Sequence, residues 1–450
     1  MENQTQHPNI PNKTSFFQSN TAKMIMVGFL ILVLLIPLAL VQDLITERSN
    51  RKQEVTNIVT QKWGKDIELM GPILKIPYKV ITETEVIDEK TNQKTIQKYS
   101  YTENAYFFPD QLNHNTAINK VDNIQLGLYK PIVFKATITS DGTFGTVDIS
   151  KLDLHPENIL WDKASIIIKT TNLKSIKSDL KIKLNNKFLN LEAKSDDESR
   201  FDTLETNTFT YNPVEDLNFD FSISYNGSNS VQFIPIGKTT ATTVDADWNS
   251  PSFIGNFATN DTTKKITTKN FHADWKIIHV NRPFPQQFKA KIPALKNYQY
   301  GVKLIETVDE YQQNERASKY GFLVIGLTFL IFFLIQTISK INIHIFQYTM
   351  IGLALIMFYT LLISITEHSS FSIAYAIAAS AVIIMLLLYS ISILKNKKFP
   401  LFITASLTLL YSFIFIIIQL EDYALLVGSI GLFFILGSVM YFSRKIDWNN

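Results

Sequence analysis

The sequence predicts a membrane protein with three parts. These are one N-terminal transmembrane helix, a large β-rich extracytoplasmic domain, sandwich-like and with helical stalks, and a five-helix C-terminal transmembrane bundle. Three observations predict this. One apolar run, Met24–Val41, stands near the N-terminus, and five more crowd the stretch from Gly321 to Phe442. The intervening stretch, 42–320, is polar, rich in strand patterns and too long for a loop. Lysine and arginine gather at one set of span ends.

Composition agrees once the chain is read in parts. The hydrophobic fraction of 46% and the charged fraction of 18% average a polar middle with a very apolar end. A net charge of +3 is too small for a nucleic-acid surface, so no nucleic acid is expected as a partner. The absence of cysteine excludes disulfide scaffolds, thiolate nucleophiles and thiolate metal sites. It leaves the compartment open, because a large extracytoplasmic domain can fold without disulfides.

A bilayer core of about 30 Å needs roughly 20 apolar residues in a helix. The first span, 24–41, follows a polar tail (1–23), and Pro37 within it predicts a kink. The long leader and the absence of a small-x-small cleavage pattern at Ala39-Leu40-Val41 argue for a signal anchor over a cleaved peptide. The later spans are 321–338, 347–365, 372–394, 401–420 and 423–442, leaving 443–450 as a second tail. Lys13, Lys23, Lys340, His344, Lys395, Lys397, Lys398, Arg444 and Lys445 all fall on one face under this scheme. The opposite short loops hold Glu367-His368 and Glu421-Asp422 without Lys or Arg. Arg316 and Lys319 are the exception, and a long translocated domain precedes them. Both termini are therefore expected in the cytoplasm and the polar domain outside it.

After the first span, Leu44, Arg48, Arg51, Val55, Ile58, Val59 and Lys62 fit one helical face, and the helix is expected to stop at Gly64. Ile73–Val80, Ile132–Thr139, Ser165–Thr170, Leu217–Tyr225, Val231–Ile236 and Ala273–Val280 read as strands. Phe219, Phe221, Ile223 and Tyr225 alternate with polar residues, as a half-buried strand requires. Asp141-Gly142 and Asn226-Gly227 are hairpin-turn signals. Tyr300–Tyr320 reads as a second helical stalk running into the next span.

Specific residues then accumulate: Glu47-Arg48-x-x-Arg51, Trp63-Gly64, Gly71-Pro72-Ile73-Leu74, Gly127-Leu128-Tyr129, Pro235-Ile236-Gly237 and Trp248-x-x-Pro251-Ser252-Phe253-x-Gly255. Further on stand Phe271-x-Ala273-x-Trp275, Val308-Asp309-x-Tyr311, His344-x-x-Gln347-Tyr348, Phe358-Tyr359, Glu367-His368, Ala374-Tyr375, Ala424-Leu425-Leu426-x-Gly428-Ser429 and Asp447-Trp448. In this order they resemble the CreD family of bacterial inner-membrane proteins over nearly the whole chain. Asn123-Ile124-Gln125-Leu126-Gly127 departs from the basic residue and Arg-Gly that the family commonly carries before the Leu-Tyr pair. The resemblance implies an inner-membrane location and a role in cell-envelope integrity, with tolerance to a colicin and to β-lactam stress. It implies no reaction and no cofactor.

The candidate functional residues are Glu367, His368, Glu421 and Asp422, which share one membrane level under this topology. Carboxylates and a histidine at helix ends can relay protons or bind a cation, while short loops also need polar residues at the interface. Gln336 and Tyr359 within the spans read as interhelical hydrogen bonds. Trp248, Trp275, Phe253, Phe257 and Phe271 read as a β-core or as a groove lining. Trp63 and Tyr78 are expected to pack the first stalk against the domain. His272 and His279 do not form a metal site by spacing. No nucleophile-elbow, zinc-protease or phosphate-loop motif is present. The reading is a non-enzymatic inner-membrane protein without cofactor or metal. Its expected partners are the lipid bilayer, envelope components and a membrane protein. A small-solute or proton-coupled transporter and a membrane sensor are the alternatives.

Overall fold

The computed structural model describes residues 20–87, 94–122, 124–129, 131–194, 201–305, 309–339, 341–394, 398–420 and 423–444. The chain divides into two compact units, one of residues 54–307 and one of residues 1–53 with 308–450.

The first unit is built from strands: β1 (Asp66–Ile87), β2 (Lys94–Phe107), β3 (Gln111–Lys120), β4 (Phe134–Phe144), β5 (Ser165–Thr170), β6 (Lys181–Leu184), β7 (Lys187–Lys194) and β8 (Asp202–Thr206). They continue with β9 (Leu217–Gly227), β10 (Ser230–Phe233), β11 (Thr239–Ala246), β12 (Pro251–Gly255), β13 (Lys265–Ile266), β14 (Phe271–Ile278), β15 (Gln287–Lys289) and β16 (Tyr300–Leu304). They hydrogen-bond in one path, β12-β16-β10-β1-β5-β8-β7-β6-β9-β4-β3-β11-β14-β13, with β2 attached to β1 and β15 to β2. β7 is the corner, since its first half pairs β6 and its second half pairs β8.

The path folds back on itself. His114 of β3 stacks on Phe233 of β10 at 4.8 Å, and the Thr242 hydroxyl of β11 meets the Tyr300 hydroxyl of β16 at 2.5 Å. Tyr225 of β9 likewise meets Thr170 of β5 at 2.9 Å. The result is a sandwich around one apolar core. Strand β9 shows why these residues form it: Leu217, Phe219, Phe221, Ile223 and Tyr225 are buried while their neighbours up to Ser222 face solvent. Each such side chain contributes about 1.5–3 kcal/mol by leaving water.

His114 gives this unit a pH dependence. It is fully buried, its Nδ1 lies 2.7 Å from the Ser140 hydroxyl, and burial pushes the imidazole down to about 3. The folded domain keeps it neutral, whereas the unfolded chain takes up a proton below about pH 6.5. The resulting stability is fully present above about pH 6.5 and falls towards pH 3, by about 1.4 kcal/mol per pH unit at most. His114→Gln is expected to remove that slope between pH 6 and pH 4 relative to the parent. Urea unfolding at each pH reads it through tryptophan fluorescence, because Trp63, Trp161, Trp248 and Trp275, four of the five tryptophans, lie in this unit. Equal slopes for the two proteins would refute the assignment.

Two local expectations are corrected. Neither Asp141-Gly142 nor Asn226-Gly227 turns a hairpin. The first lies inside β4, paired on both sides, with Gly142 opposite Leu112 and Phe219. The second ends β9, opposite Lys135 and Phe134. The second stalk does not begin at Tyr300. Residues 300–304 are strand β16, held between β10 and β12, with Tyr300, Val302 and Leu304 in the core. Pairing on both edges overrides the helical spacing of this segment.

The second unit is helical: α1 (Asn20–Trp63), α2 (Glu310–Lys319), α3 (Gly321–Ser339), α4 (Ile345–Thr366), α5 (Phe371–Ile393), α6 (Lys398–Gln419) and α7 (Ala424–Ser443). Among the described residues, α1 and α3–α7 are the 6 helices long and apolar enough to cross a membrane. α1 runs unbroken through its polar half to Trp63, as the sequence predicts, and its last turns belong to the β unit. There the Trp63 Nε1–H donates to the Phe134 carbonyl at 3.2 Å. In the helical core Leu34 and Leu38 of α1 pack with Phe329 and Phe332 of α3 and with Tyr348 and Leu355 of α4. α7 exposes Leu425, Phe433, Phe434 and Met440, which suits a helix facing lipid.

Candidate functional site

One end of the helical unit collects the polar residues. α4 ends there at Thr366 and α5 begins there at Phe371; α6 ends there too, since the Gln419 amide reaches the Ser372 hydroxyl at 3.4 Å. At the opposite end the Lys23 ammonium donates to the Asn342 side chain at 2.7 Å.

α2 lies against α4, α5 and α6 at the Thr366 end. Asp309 caps it, its carboxylate accepting the Tyr311 backbone N–H at 3.0 Å. Its buried residues, Tyr311, Asn314, Ala317 and Ser318, follow helical spacing, and Glu315 and Lys319 pair on the exposed side at 2.8 Å. α1 meets this end with a single face. The Gln42 amide donates to the Ser318 carbonyl at 3.0 Å, and Ile45 is buried. Arg48 Nε lies 3.6 Å from Glu367 Oε1. The Lys52 ammonium lies 3.2 Å from the Asp309 carboxylate and 5.7 Å from the centre of the Tyr311 ring. Each pair is partly solvated and contributes at most about 1 kcal/mol, so their main effect is to fix position.

Between α4, α5 and α6 lies a cluster of tyrosines. Phe358 of α4 touches three rings: Tyr359 at 4.8 Å, Tyr375 of α5 at 5.2 Å and Tyr411 of α6 at 4.7 Å. The Tyr375 hydroxyl donates to the Tyr411 carbonyl at 2.8 Å. Lower down, the Tyr348 hydroxyl donates to Gln336 Oε1 at 3.1 Å, the interhelical bond the sequence suggests for Gln336.

The expected site residues are distributed as follows. Glu367 is the C-cap of α4, half-buried, with Arg48 as its partner. His368 is exposed in the turn that follows, its backbone N–H bonded to the Ile365 carbonyl at 3.0 Å. Glu421 and Asp422 lie outside the described residues. Sequence reading missed the Arg48–Glu367 and Lys52–Asp309 pairs. The usable signal was opposite charge at one membrane level, one member on α1 and the other at a bundle end.

In the β unit the aromatic set is packed. Trp248, Trp275 and Phe271 are buried, and Phe253 sits edge-on to Phe271 and Trp275, each at 5.9 Å. Tyr78 is buried and its hydroxyl meets Glu103 at 2.5 Å. His272 lies 2.7 Å from Asp245 and 3.9 Å from Asp274. Among the described residues no three His, Cys, Asp or Glu side chains are placed to hold a metal ion. Glu205 and Glu68 are the buried carboxylates described in this unit, and the Gln299 amide donates to Glu68. Burial raises the pKa of Glu205, but hydrogen bonds from Lys194, Lys75 and Ser165 outweigh that and hold it below the usual range.

Arg282, unremarked in the sequence, is the buried cation described in this unit. Its guanidinium donates to the carbonyls of Ile236 and Gly237 at 2.7 Å and of Phe284 at 3.3 Å, and to the Gln286 side chain. Burial lowers its pKa to about 10. Two of its acceptors, Ile236 and Gly237, belong to Pro235-Ile236-Gly237, one of the motif segments.

Comparison with known proteins settles the family. The family model described as "Inner membrane protein CreD" matches residues 19–449. The chain belongs to the CreD family. It is 27% identical over 434 residues to the "Inner membrane protein CreD" of Escherichia coli strain K12, covering 93% of this chain and 91% of that relative. It is therefore an inner-membrane protein. Among solved structures, a putative nutrient binding protein from Legionella pneumophila shows 9% identity and a TM-score of 0.25, over 50% of this chain and 77% of that one. Yeast LTA4 hydrolase shows 8% identity and a TM-score of 0.19, over 50% of this chain and 35% of that one. Likenesses at these scores carry no argument. Within this CreD-family chain, motif residues far apart in sequence meet at one end of the helical unit: Arg48, Asp309, Tyr311, Tyr359, Glu367 and Tyr375.

Proposed function

We propose that this CreD-family protein is non-enzymatic and supports cell-envelope integrity and envelope-stress tolerance. In this reading both termini are cytoplasmic, and the β sandwich is a periplasmic binding or scaffold domain for envelope components, alone or with a membrane-protein partner. One observation carries it. The charged motif side chains at the Thr366 end, Arg48, Asp309 and Glu367, engage one another's helices in ion pairs. A scaffold needs such charges to fix α1, α2 and α4, whereas a catalyst needs them facing a substrate. The lysine-bearing end at Lys23 and the carboxylate-bearing end at Glu367 support the orientation.

The test replaces the chromosomal gene with Arg48→Glu, with Glu367→Arg, and with both. Each single replacement places like charges together and is expected to raise β-lactam and detergent sensitivity several-fold towards that of a deletion strain. The double replacement is expected to restore tolerance. A deletion strain as tolerant as its parent would overturn the envelope reading, and an alkaline-phosphatase fusion near Asn226 that stays inactive would overturn the orientation.

A further inference from the structure

Strand β2 has an edge that the β unit covers only in part. Its pairing with β1 runs from Leu74↔Phe107 to Ile87↔Lys94 without a register shift. On its other side β15 covers Ala105, Tyr106 and Phe107, and the Ala290 N–H adds one bond to the Asn104 carbonyl at 2.9 Å. There the chain turns away, with Ala290 in a left-handed conformation at a φ of 63°. From Thr95 to Glu103 no strand lies beside β2 on that side among the described residues.

The bonds at the covered end fix the direction of each backbone group along this edge. The Phe108 N–H donates to the Gln286 carbonyl at 2.8 Å, and the Asn104 carbonyl accepts from Ala290. Even-numbered residues of β2 therefore turn N–H and C=O towards the β15 side. Pro77 stands opposite Asn104 and has no N–H to give, which fits the same phase. In an antiparallel ladder the direction alternates, so Ile96, Lys98, Ser100 and Thr102 turn both groups outward. Tyr99 and Tyr101 turn theirs to β1, and their side chains share one face of the ribbon, 56% and 51% exposed.

Proteins ordinarily blunt such an edge with proline, a bulge or charge. Residues 95–103 contain no proline and no bulge, and Lys98 is paired with Glu83 of β1 at 2.7 Å. A row of backbone donors and acceptors fits one chemistry, an extended polypeptide. The sequence of this edge makes it complementary to itself. Paired antiparallel about an axis at Tyr99, it sets Ser100 opposite Lys98, Tyr101 opposite Gln97, Thr102 opposite Ile96 and Glu103 opposite Thr95, so no like charges face each other. An axis one residue earlier sets Lys98 against Lys98. An axis one residue later drives Thr95 onto the place that β15 holds beside Ala105. At Tyr99 two rings meet in a non-hydrogen-bonded pair, where side chains approach most closely.

We propose that β2 is a self-association strand, in which residues 95–103 of two copies of this chain pair antiparallel about a twofold axis at Tyr99. The pairing joins two β units through about eight backbone hydrogen bonds. This inference goes beyond the envelope reading and does not rest on it, and an envelope phenotype neither supports nor weakens it.

The chain has no cysteine, so single cysteines report the contact directly. Cysteine is placed in turn at Gln97, Tyr99 and Tyr101, and at Ile81 of β1, in the full-length protein in native membranes, which are then treated with copper-phenanthroline. Opposed residues of a non-hydrogen-bonded pair stand about 4.5 Å apart at Cα, inside the disulfide range. Tyr99→Cys is expected to give roughly five-fold more disulfide-linked dimer on non-reducing gels than any of the other three. A second arm measures the mass of the detergent-solubilised protein by light scattering. Ser100→Pro removes an outward N–H and no bond to β1, so it blocks the edge and spares the ribbon. The parent is expected at twice the mass of Ser100→Pro, and Ile81→Pro, which blocks the outer edge of β1 in the same way, at the mass of the parent. A dimer maximum at any position other than Tyr99, or equal masses for the parent and Ser100→Pro, would overturn the proposal. Should Ser100→Pro fail to fold, the cysteine scan decides alone.

Discussion

Replacing Arg282 by alanine is expected to destabilise the β sandwich by about 3–4 kcal/mol. The side chain is 1% exposed and its guanidinium is the only donor offered to the Phe284 carbonyl among the bonds described. Alanine leaves that carbonyl and Gly237 short of donors in the core, and also opens a cavity under the Phe284 ring, which the guanidinium covers at 4.2 Å. Lysine keeps the charge but presents a compact ammonium. It cannot reach Ile236, Gly237 and Phe284 together, so Arg282→Lys is expected to show most of the same loss. Urea unfolding of the full-length protein, followed by tryptophan fluorescence, measures both. A change under about 1 kcal/mol for alanine would show that water serves these carbonyls as well as the guanidinium does.

Gly142→Ala is expected to cost about 3 kcal/mol, although it adds one methyl group. A Cβ at this position would stand 2.0 Å from the Gln111 carbonyl oxygen and 2.6 Å from the Phe219 ring. The first obstacle is backbone of the neighbouring strand β3, which cannot rotate aside as a side chain can. β3 and β4 would have to separate where ten consecutive residue pairs now face each other, Gln111↔Thr143 to Lys120↔Phe134. Asp141→Ala, one residue away, is the control: its side chain bonds the Asn113 amide at 2.8 Å at a part-buried position and is expected to cost no more than about 1 kcal/mol. If Gly142→Ala and Asp141→Ala unfold at the same urea concentration, the close approach of β3 and β4 is not what selects glycine.

These two positions show where sequence reading stopped. Asp-Gly is a strong hairpin signal because glycine tolerates turn geometry, yet here glycine is needed for its missing side chain. The two uses are identical in sequence, and only the neighbour at Gln111 separates them. Arg282 was illegible for a related reason. Surrounded in sequence by Asn281, Pro283 and Phe284, it carries no local sign of burial, and two of its acceptors, the Ile236 and Gly237 carbonyls, come from a segment some 45 residues earlier. The helical end reads the same way. Glu367 was visible as a polar residue in a short loop, but Arg48, its partner, lies in α1.

By itself the sequence determined the apolar runs that became helices, the strands whose faces alternate, the helix end at Trp63 and the family. These are properties of neighbouring residues, set by side-chain period, helix length against bilayer thickness, and motif order. Only the tertiary structure decided that Tyr300–Leu304 is a strand, because β10 and β12 supply its hydrogen bonds from both sides. It alone decided that α1, α2 and α4 share ion pairs, and that Tyr359 and Tyr411 are buried, their hydroxyls without a hydrogen-bond partner among the described residues. Those outcomes depend on which distant groups come within about 3 Å, and no local period encodes that.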